Sequence, residues 1–353
     1  MHKKYSLLIA FVLVALNSCK LIKTPNNQPI LSNTMKQQTD NPMICNTDSG
    51  ICTPNANTEA IENSLAAISS QTEDDQTKRS IKIVYFTDPI CSACWGIEAQ
   101  LKKLKLEYAQ NLQIEYVMGG LLPSWDVYNS GGISKPADVA SHWDEVAPHY
   151  QMPIDGDLWL EDPLPSSIPP SLAFIAAQEQ DPKKALVFLR KIKEMVFLEK
   201  KNICRWQHIE QAAIFAKLNP IQLKKDYEST QIKDTFRNGI TKMGLYPVRG
   251  FPTLVFENNE NKRQSTVSGA KEYNQFEQAI QNSNPTSEPF QKKSYPKTHT
   301  FLFNEFSTLT TKEYAVLKEI SFETAKIELE NLLKSQFLTV KRIKNGELWS
   351  KAN

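Results

Sequence analysis

The feature that most restricts the fold is a cysteine pair, Cys91-Ser-Ala-Cys94, between a predicted strand and a predicted helix. Residues 81–86 are rich in β-branched and aromatic side chains, which is typical of a buried strand. Residues 94–108 carry apolar side chains at roughly helical spacing, and residues 112–117 alternate as a second strand. Strand, helix and strand within about 40 residues predict a right-handed βαβ unit.

The two cysteines have the spacing that disulfide exchange needs. Cys91 lies at the expected start of the helix, where free backbone N–H groups and the helix dipole favour a thiolate. Cys94 follows three residues later on the same helical face, within bonding range. A reachable Cys91 attacks a substrate disulfide, and Cys94 resolves the mixed disulfide. A structural disulfide and a metal site are the alternatives; metal is disfavoured because no histidine lies nearby and no second Cys-x-x-Cys is present.

A second group of predicted elements follows much later in the chain. Residues 253–256 are a predicted strand after Pro252, which cannot donate to a strand ladder. Residues 263–268 are predicted to return as an antiparallel strand, and residues 270–281 to form a helix. The intervening segment, about 123–247, contains no convincing strand and shows helical periodicity in four places, residues 171–180, 184–199, 206–217 and 220–229.

With these elements the chain resembles the thioredoxin superfamily, and specifically its DsbA-like branch. Asp88-Pro89 before the cysteine pair, and Trp95-Gly96 after it, are similar to the FrnE-like and protease-adaptor members of that branch. Gly250-Phe251-Pro252-Thr253 resembles their cis-proline loop. The resemblance covers about residues 80–285 and implies an α/β thioredoxin fold with a large α-helical insertion.

The resemblance also implies roles for individual residues. Cys91 is the expected nucleophile, Cys94 the resolving thiol, and Pro252 a cis-proline packed beside them. The main chain of Gly250 and Phe251 is expected to pair with a substrate polypeptide in a strand-like manner. No metal or organic cofactor is implied.

Residues around the cysteine pair have two interpretations each. Trp95 is expected to pack beside the site or to contact substrate. Asp88 is expected to cap the helix or form a turn, with tuning of the thiol pair as the alternative. Glu98 is expected to be a solvated carboxylate, with an approach to the thiol of Cys94 as the alternative. Because Ser92-Ala93 stand where strong oxidants have Pro-His, we expect a less depressed thiol pKa and a less oxidising pair.

The amino terminus has the pattern of an export signal. Two lysines in residues 1–4 precede an apolar core at residues 7–16, which is too short to span a membrane. Leu16-Asn-Ser-Cys19 resembles the bacterial lipoprotein box, which implies a signal peptide 1–18, cleavage before Cys19 and acylation of its thiol. An ordinary cleaved signal is the alternative. We therefore expect an exported, periplasmic protein that a lipid on Cys19 attaches to a membrane, in a compartment where disulfides persist.

The segment 19–79 is expected to be a flexible tether. Residues 20–80 contain no Phe, Trp or Tyr, so they cannot bury enough apolar surface to offset the entropy of ordering. Cys45 and Cys52 in this segment are separated by turn-forming residues. A local disulfide is favoured, and a second exchanging pair, free thiols or half of a metal site are alternatives.

The carboxyl-terminal part is predicted to be a separate small unit. Residues 286–300 are expected to be a linker, and residues 301–353 to contain helices at 311–319 and 322–334 and a hairpin turning at Asn345-Gly346. Helices followed by a hairpin resemble a winged-helix domain. A role in nucleic-acid binding is disfavoured, because the chain carries 41 Lys and Arg against 39 Asp and Glu, and because an exported protein does not meet DNA.

The sequence therefore predicts an exported thiol–disulfide oxidoreductase or isomerase. Its expected partners are unfolded or cysteine-containing exported proteins and a redox partner that the sequence does not identify. Two alternatives remain open, a non-catalytic binding or adaptor protein that keeps the fold, and a thiolate metal carrier.

Overall fold

The computed structural model describes residues 45–46, 51–52, 80–129, 132–260, 263–284 and 288–352. The predicted signal peptide, the predicted acylation site Cys19 and most of the predicted tether lie outside them. All described residues belong to one unit, Asp40–Asn353. None of the described helices is both long and apolar enough to cross a membrane.

The described strands and helices alternate along the chain. The strands are β1 (Cys45–Asn46), β2 (Ile51–Cys52), β3 (Ile81–Thr87), β4 (Leu112–Met118), β5 (Thr253–Asn258), β6 (Gln264–Ser268), β7 (Thr308–Thr310), β8 (Leu338–Ile343) and β9 (Gly346–Lys351). The helices are α1 (Ser92–Gly96), α2 (Glu98–Tyr108), α3 (Pro136–Tyr150), α4 (Leu158–Glu161), α5 (Ile168–Gln180), α6 (Pro182–Leu198), α7 (Trp206–Phe215), α8 (Pro220–Glu228), α9 (Thr230–Met243), α10 (Tyr273–Ser283), α11 (His299–Glu305), α12 (Thr311–Lys318) and α13 (Phe322–Lys334).

A mixed four-stranded sheet organises the first part in the order β4-β3-β5-β6. β3 is parallel to β4 and antiparallel to β5, and β5 is antiparallel to β6. The inner strand β3 is covered on both faces, and its side chains alternate between two cores. Val84 and Phe86 pack in the core that includes the helical insertion, whereas Ile83 and Tyr85 pack in the core that includes α2 and α10. This is the predicted thioredoxin arrangement.

The helical insertion between β4 and β5 contains the helices α3 to α9 among its described residues. Two of its helices begin in the same way. The side chain of Asp181 caps α6 by accepting from the next N–H groups, and Asn219 does so for α8; each is followed by a proline at the first helical position. An Asx cap satisfies N–H groups that have no partner within the helix, and proline tolerates this position because it has none to satisfy.

The carboxyl-terminal unit is winged-helix-like. Its three-stranded sheet has the order β7-β9-β8, and the three helices α11, α12 and α13 cover a core with Tyr314, Leu329 and Trp349 at its centre. The predicted hairpin is present, with Ile343 paired with Gly346 at the turn. Residues 288–298 contain no helix or strand, and Lys293 N–H donates to the carbonyl of Glu107 at the end of α2.

Candidate active site

The cysteine pair lies where β3 ends and α1 begins, as the sequence predicts. Cys91 is the residue that caps α1, and its Sγ accepts a hydrogen bond from the N–H of Cys94 at 3.1 Å. The N–H of Cys91 in turn donates to the carbonyl of Asp88 at 3.2 Å. Both thiols are free. The turn from Asp88 to Cys91 therefore fixes the first thiol against the backbone of the second.

The expectation that Cys91 is reachable is wrong for this structure. Cys91 and Cys94 are both 0% exposed. Tyr150 lies at the end of α3, and its ring packs on Gly96. Burial is the main cause that raises the pKa of Tyr150, and the charges of Cys91 and Cys94 raise it further, so the ring lies near both thiols. The expected depression of the Cys91 pKa is also wrong. Burial, and then the neighbouring Cys94, raise the pKa of Cys91 well above its ordinary value, because desolvation outweighs one backbone hydrogen bond.

Cys94 behaves in the opposite way. Burial by itself raises the pKa of its thiol, but the hydrogen bond from Cys91 and the positive charge of Lys193 together lower the pKa below the ordinary value. In the closed pair the pKa of Cys94 is therefore lowered and that of Cys91 raised, so Cys94 is the more acidic of the two thiols.

Lys193 is held beside the thiols by a buried ion pair. Its Nζ lies 2.7 Å from Oε1 of Glu98, and its side chain is 1% exposed. Burial lowers the pKa of Lys193, but Glu98 and Cys94 more than reverse this, so the ammonium stays charged. Burial likewise acts to raise the pKa of Glu98, yet Lys193 and two further cations hold it well below its usual range. The expectation of a solvated Glu98 is therefore wrong: the side chain is only 14% exposed, and its carboxylate lies among three cations.

Asp88 is buried and fully hydrogen-bonded. Its Oδ1 accepts from Ile90 N–H at 3.1 Å, which is a turn-forming contact, and its Oδ2 accepts from Leu121 N–H at 2.7 Å and from the Ser167 hydroxyl at 2.8 Å. Burial raises the pKa of Asp88 to about 6, despite these hydrogen bonds. The carboxyl fixes the turn that positions Cys91, and tuning of the thiols by its charge stays a prediction.

The ionisation of Asp88 is expected to reduce stability as pH rises. Its pKa is about 6 in the folded protein against an ordinary value of 3.8, so its contribution is full below about pH 4 and is lost as pH rises through 6. Between about pH 4 and pH 7.5 we expect the free energy of unfolding to fall by about 2 kcal/mol more in the wild type than in Asp88→Ala. Urea unfolding at both pH values measures this, and equal pH dependence in the two proteins would contradict it.

The loop before β5 has the expected cis peptide, between Phe251 and Pro252. The ring of Phe251 is 0% exposed and fills the space beside Gly119, where an added Cβ would lie 1.7 Å from Cζ. Gly250 is also buried, and its carbonyl accepts from the Thr253 hydroxyl at 2.6 Å. Strand-like pairing of this main chain with a substrate stays a prediction, and it requires the loop to become exposed.

Trp95 is enclosed, so direct contact with a substrate does not occur in this structure. The side chain is 0% exposed, and its indole N–H donates to the carbonyl of Pro153 at 3.0 Å. Its ring stacks on Phe197 with centroids 5.3 Å apart, and the guanidinium of Arg190 lies 4.5 Å from its centroid. The packing interpretation of Trp95 therefore describes the closed site, and contact with a substrate, which requires the site to open, stays a prediction.

The remaining cysteines lie apart from this pair in the sequence. β1 and β2 are antiparallel, with Cys45 opposite Cys52. Directly opposite residues have Cα atoms about 4.5–5.5 Å apart, which suits a disulfide, and the bond itself stays a prediction. Cys204 is half-buried and donates to the carbonyl of Ser166, and burial raises its pKa to about 12. Within the described residues, no group of three or more His, Cys, Asp or Glu side chains is arranged to hold a metal ion.

The sequence analysis missed Lys193, although its helix was expected. A signal was present, because Lys193 occupies the apolar face of α6: Leu189 lies four residues before it, and Val196 and Phe197 lie three and four residues after it. A lysine inside an apolar stripe needs a buried carboxylate partner. The distance of 95 residues to Glu98 hid that partner from the sequence.

Comparison with known proteins gives relatives along most of the chain. A protein of Halalkalibacterium halodurans named ClpXP adapter protein SpxH is 29% identical over 318 residues, which cover 88% of this chain and 97% of that protein. The Bacillus subtilis protein of the same name is 26% identical and covers 77% and 89%. A solved structure, a putative protein disulfide isomerase from Nitrosomonas europaea, is 18% identical, covers 57% of this chain and 96% of that one, and has a TM-score of 0.50.

The family is decided by a match over more than half of the chain. A family model described as Thioredoxin matches residues 85–278, which include both thiols, the cis-proline loop and all of the helical insertion. The sheet order and the position of the insertion agree with it. The chain therefore belongs to the thioredoxin family and has the DsbA-like form of its fold.

Proposed function

We propose that this chain exchanges disulfides with cysteines of a bound polypeptide through Cys91 and Cys94. The observation that carries the proposal is the geometry of the pair: Cys91 caps α1 at the end of β3, and its Sγ lies 3.1 Å from the N–H of Cys94. The buried ammonium of Lys193, which acts to lower the pKa of Cys94, supports it. Burial alone makes a structural cysteine inert, because it disfavours the thiolate. The buried ammonium of Lys193 lowers the pKa of the Cys94 thiol, which supports a redox role.

The exchange runs in two steps that balance in sulfur and electrons. The thiolate of one cysteine attacks a substrate disulfide, which forms a mixed disulfide and releases one substrate thiolate. The second thiol loses its proton, attacks the mixed disulfide, closes the Cys91–Cys94 bond and releases the second substrate thiolate. Two electrons pass to the substrate, and the reverse sequence oxidises a substrate dithiol. The reduction potentials of the pair and of its partner set the direction.

Reaction at Cys91 requires the closed site to open. In the open state Cys91 no longer has its desolvation penalty, the N–H of Cys94 still donates to its sulfur, and the Cys91 proton passes to Cys94 along their hydrogen bond. The attacking thiolate is then Cys91, as the sequence predicts, and Cys94 resolves. Tyr150 is the aromatic side chain that faces both thiols from α3, so we assign the cover to it.

Tyr150→Ala is expected to speed alkylation of Cys91 by iodoacetamide about tenfold under native conditions. Removal of the ring exposes the thiols, and tenfold corresponds to about 1.4 kcal/mol in the opening equilibrium. Mass spectrometry of alkylated peptides over time measures it. Tyr150→Phe keeps the ring and should react at the wild-type rate; equal rates in the alanine variant and the wild type would show that Tyr150 is not the cover.

A trapping experiment tests the proposal itself. Cys94→Ser cannot resolve a mixed disulfide, so it should accumulate a covalent adduct through Cys91 with a disulfide-containing unfolded protein. The double variant Cys91→Ser, Cys94→Ser should form none, and Cys204→Ser should exchange as the wild type does. Absence of an adduct with Cys94→Ser, even in combination with Tyr150→Ala, would reject the exchange function.

A second candidate function is that of an adaptor that binds another polypeptide without redox chemistry. The enclosed thiols favour it, and so do the relatives named ClpXP adapter protein, which this chain matches over 89–97% of their length. The double variant Cys91→Ser, Cys94→Ser distinguishes the two candidates. An adaptor keeps its partner and its full biological activity in that variant, whereas an oxidoreductase loses its activity.

We also propose that the protein acts outside the cytoplasm, attached through an acylated Cys19. The support is the signal pattern of residues 1–18 and the small residue before the cysteine. Metabolic labelling with a radioactive fatty acid should mark the wild type and leave Cys19→Ala unlabelled. Equal labelling of both, or of neither, would remove the anchor from the proposal.

A further inference from the structure

One carboxylate of the carboxyl-terminal unit, that of Glu313, is buried near the cysteine pair. Glu313, in the first turn of α12, has a side chain with 0% exposure. Its oxygens accept from Arg190 Nη1 at 2.7 Å, Arg190 Nη2 at 3.0 Å and Lys102 Nζ at 2.6 Å. Thr310 N–H also donates to it at 2.7 Å, which completes the cap of α12. Bidentate pairing with Arg190 fixes the guanidinium plane as well as its charge.

The same two cations reach the surroundings of the thiols. Arg190 lies over the ring of Trp95, the residue that follows the second cysteine. Arg190 Nη1 is 3.8 Å and Lys102 Nζ is 3.5 Å from Oε2 of Glu98, whose other oxygen holds Lys193. Glu98 and Glu313 therefore compete for the same two cations. How firmly Glu98 holds Lys193 depends on Glu313.

The cluster around Glu98 combines charges of both signs. Its members include the cations Lys102, Arg190 and Lys193 and the carboxylates Glu98, Glu194 and Glu313, and Lys191 lies at its edge, 3.9 Å from Glu194. Glu194 completes it by accepting from Arg190 Nε at 2.8 Å. A change in net charge is costly here, because Glu98, Lys102 and Arg190 are only 11–14% exposed and charges attract more strongly than in bulk water. Loss of one charged member of the cluster therefore changes the pKa of the nearest titratable groups, which include the Cys94 thiol.

We propose that Glu313 is a positioning residue for the thiol pair, through which the carboxyl-terminal unit sets how strongly the charge of Lys193 acts on Cys94. The proposal rests on the proposed function only in that the pair is redox-active. It assigns the carboxyl-terminal unit a role in the chemistry of a site to which it contributes no reacting atom.

The direction of the effect follows from the charges. Without the Glu313 carboxylate, Arg190 and Lys102 turn to Glu98, and Lys193 is left to Cys94 as its main anion. The cluster also loses one negative charge, which a Cys94 thiolate compensates. Both effects lower the pKa of the Cys94 thiol and stabilise the reduced pair. The other titratable groups whose charges act on Cys94, or on which its charge acts, are Cys91, Tyr85 and Tyr150; the charge of Asp88 acts on Cys91, and that of Glu98 acts on Tyr85.

The test is Glu313→Gln in the full chain. Ultraviolet absorbance of the thiolate against pH gives the apparent thiol pKa, which should fall by about one unit. In equilibrium with glutathione, one oxidised glutathione and the dithiol convert to two reduced glutathiones and the Cys91–Cys94 disulfide. That equilibrium should move about tenfold towards the dithiol, or about 30 mV.

Two further variants separate charge from a general loosening of the structure. Lys102→Met removes a cation, so the apparent thiol pKa should rise, opposite to Glu313→Gln. The double variant Glu313→Gln, Lys102→Met restores the net charge of the cluster and should return the pKa towards the wild type. Glu328→Gln is the matched control, because Glu328 is a carboxylate of the same unit that pairs with Lys318 and Tyr314, away from the cluster.

Several results would overturn the proposal. They are an unchanged thiol pKa in folded Glu313→Gln, the same shift in Glu328→Gln, or a shift of the same sign in Lys102→Met. If Glu313→Gln does not fold by circular dichroism, Lys102→Met decides by the sign of its shift. Thiolate absorbance needs no substrate, so this inference fails or stands separately from the trapping experiment with Cys94→Ser.

Discussion

Lys193→Met is expected to raise the pKa of the Cys94 thiol by about 1–3 units, because it removes the cation that faces the sulfur. It is also expected to lower the free energy of unfolding by about 3–5 kcal/mol. Lys193 is 1% exposed and 2.7 Å from Glu98, so its removal leaves a buried carboxylate. Arg190 and Lys102 lie within 4 Å of that carboxylate, which places the loss near the lower end of the range.

Thiolate absorbance against pH and urea unfolding measure the two effects. The matched control is the double variant Lys193→Met, Glu98→Gln, which leaves no unpaired charge from this pair. It should recover most of the lost stability while its thiol pKa stays above that of the wild type, because the cation is still missing. A Lys193→Met protein whose thiols titrate as in the wild type would refute the role of Lys193.

Some elements could be predicted because their periodic pattern extends over their whole length. The predicted strand 112–117 becomes β4, Leu112–Met118, and the predicted helix 322–334 becomes α13 with the same bounds. The period is visible in the sequence even where burial is partial: α13 buries Ala325 and Leu329, whereas Ile327 is 64% exposed. The turn at Asn345-Gly346 could also be predicted, because Asn-Gly favours a two-residue hairpin turn.

Several elements depart from the prediction, among them α3, α4, α11 and β7, which were not predicted, and two show how tertiary contacts prevail. The expected helix 94–108 is divided at Ile97, whose φ of −97° and ψ of 8° lie outside the helix, immediately after the glycine on which Tyr150 packs. The helix α9 is not among the predicted elements, because its only buried residues are Ile232 and Phe236 and it contains Gly239. That glycine allows a close approach to β4: an added Cβ would lie 3.3 Å from Val117. A sequence shows glycine as a helix breaker, and only the fold shows what it permits.

The cysteine pair and the cis-proline loop can be identified from the sequence, whereas their electrostatics cannot. The Cys-x-x-Cys motif identifies the two reacting sulfurs, but the pKa of Cys91 depends on how completely the helical insertion buries its thiol. The charges that act on Cys94 come from α2, α6 and α12, and the Arg190–Glu313 contact alone joins residues 123 positions apart. Such pairings follow from the packing of the insertion and the carboxyl-terminal unit, which local patterns do not encode.

Trp349→Ala is expected to destabilise the carboxyl-terminal unit by about 3–5 kcal/mol, the usual cost of emptying a buried tryptophan site. Trp349 is 0% exposed on the central strand β9, where it pairs with Leu309 on one side and Val340 on the other. Its indole N–H donates to the Thr311 hydroxyl at 3.0 Å, so the loss also loosens the first turn of α12. Hydrogen exchange resolved by peptide should show faster exchange in residues 299–352 than in residues 81–118.

Trp206→Ala is the matched control, since Trp206 is half-buried in the insertion against Tyr227 and should cost less. Equal acceleration of exchange in both segments of Trp349→Ala would mean that the two parts unfold together, contrary to the expected independence of the core around Trp349. Glu313 belongs to α12, so loosening of this helix also weakens the ion pairs of Glu313 with Arg190 and Lys102. Both cations then pair more closely with Glu98. The thiol pKa of folded Trp349→Ala should therefore move in the same direction as that of Glu313→Gln, which links the packing of a distant tryptophan to the chemistry at Cys94.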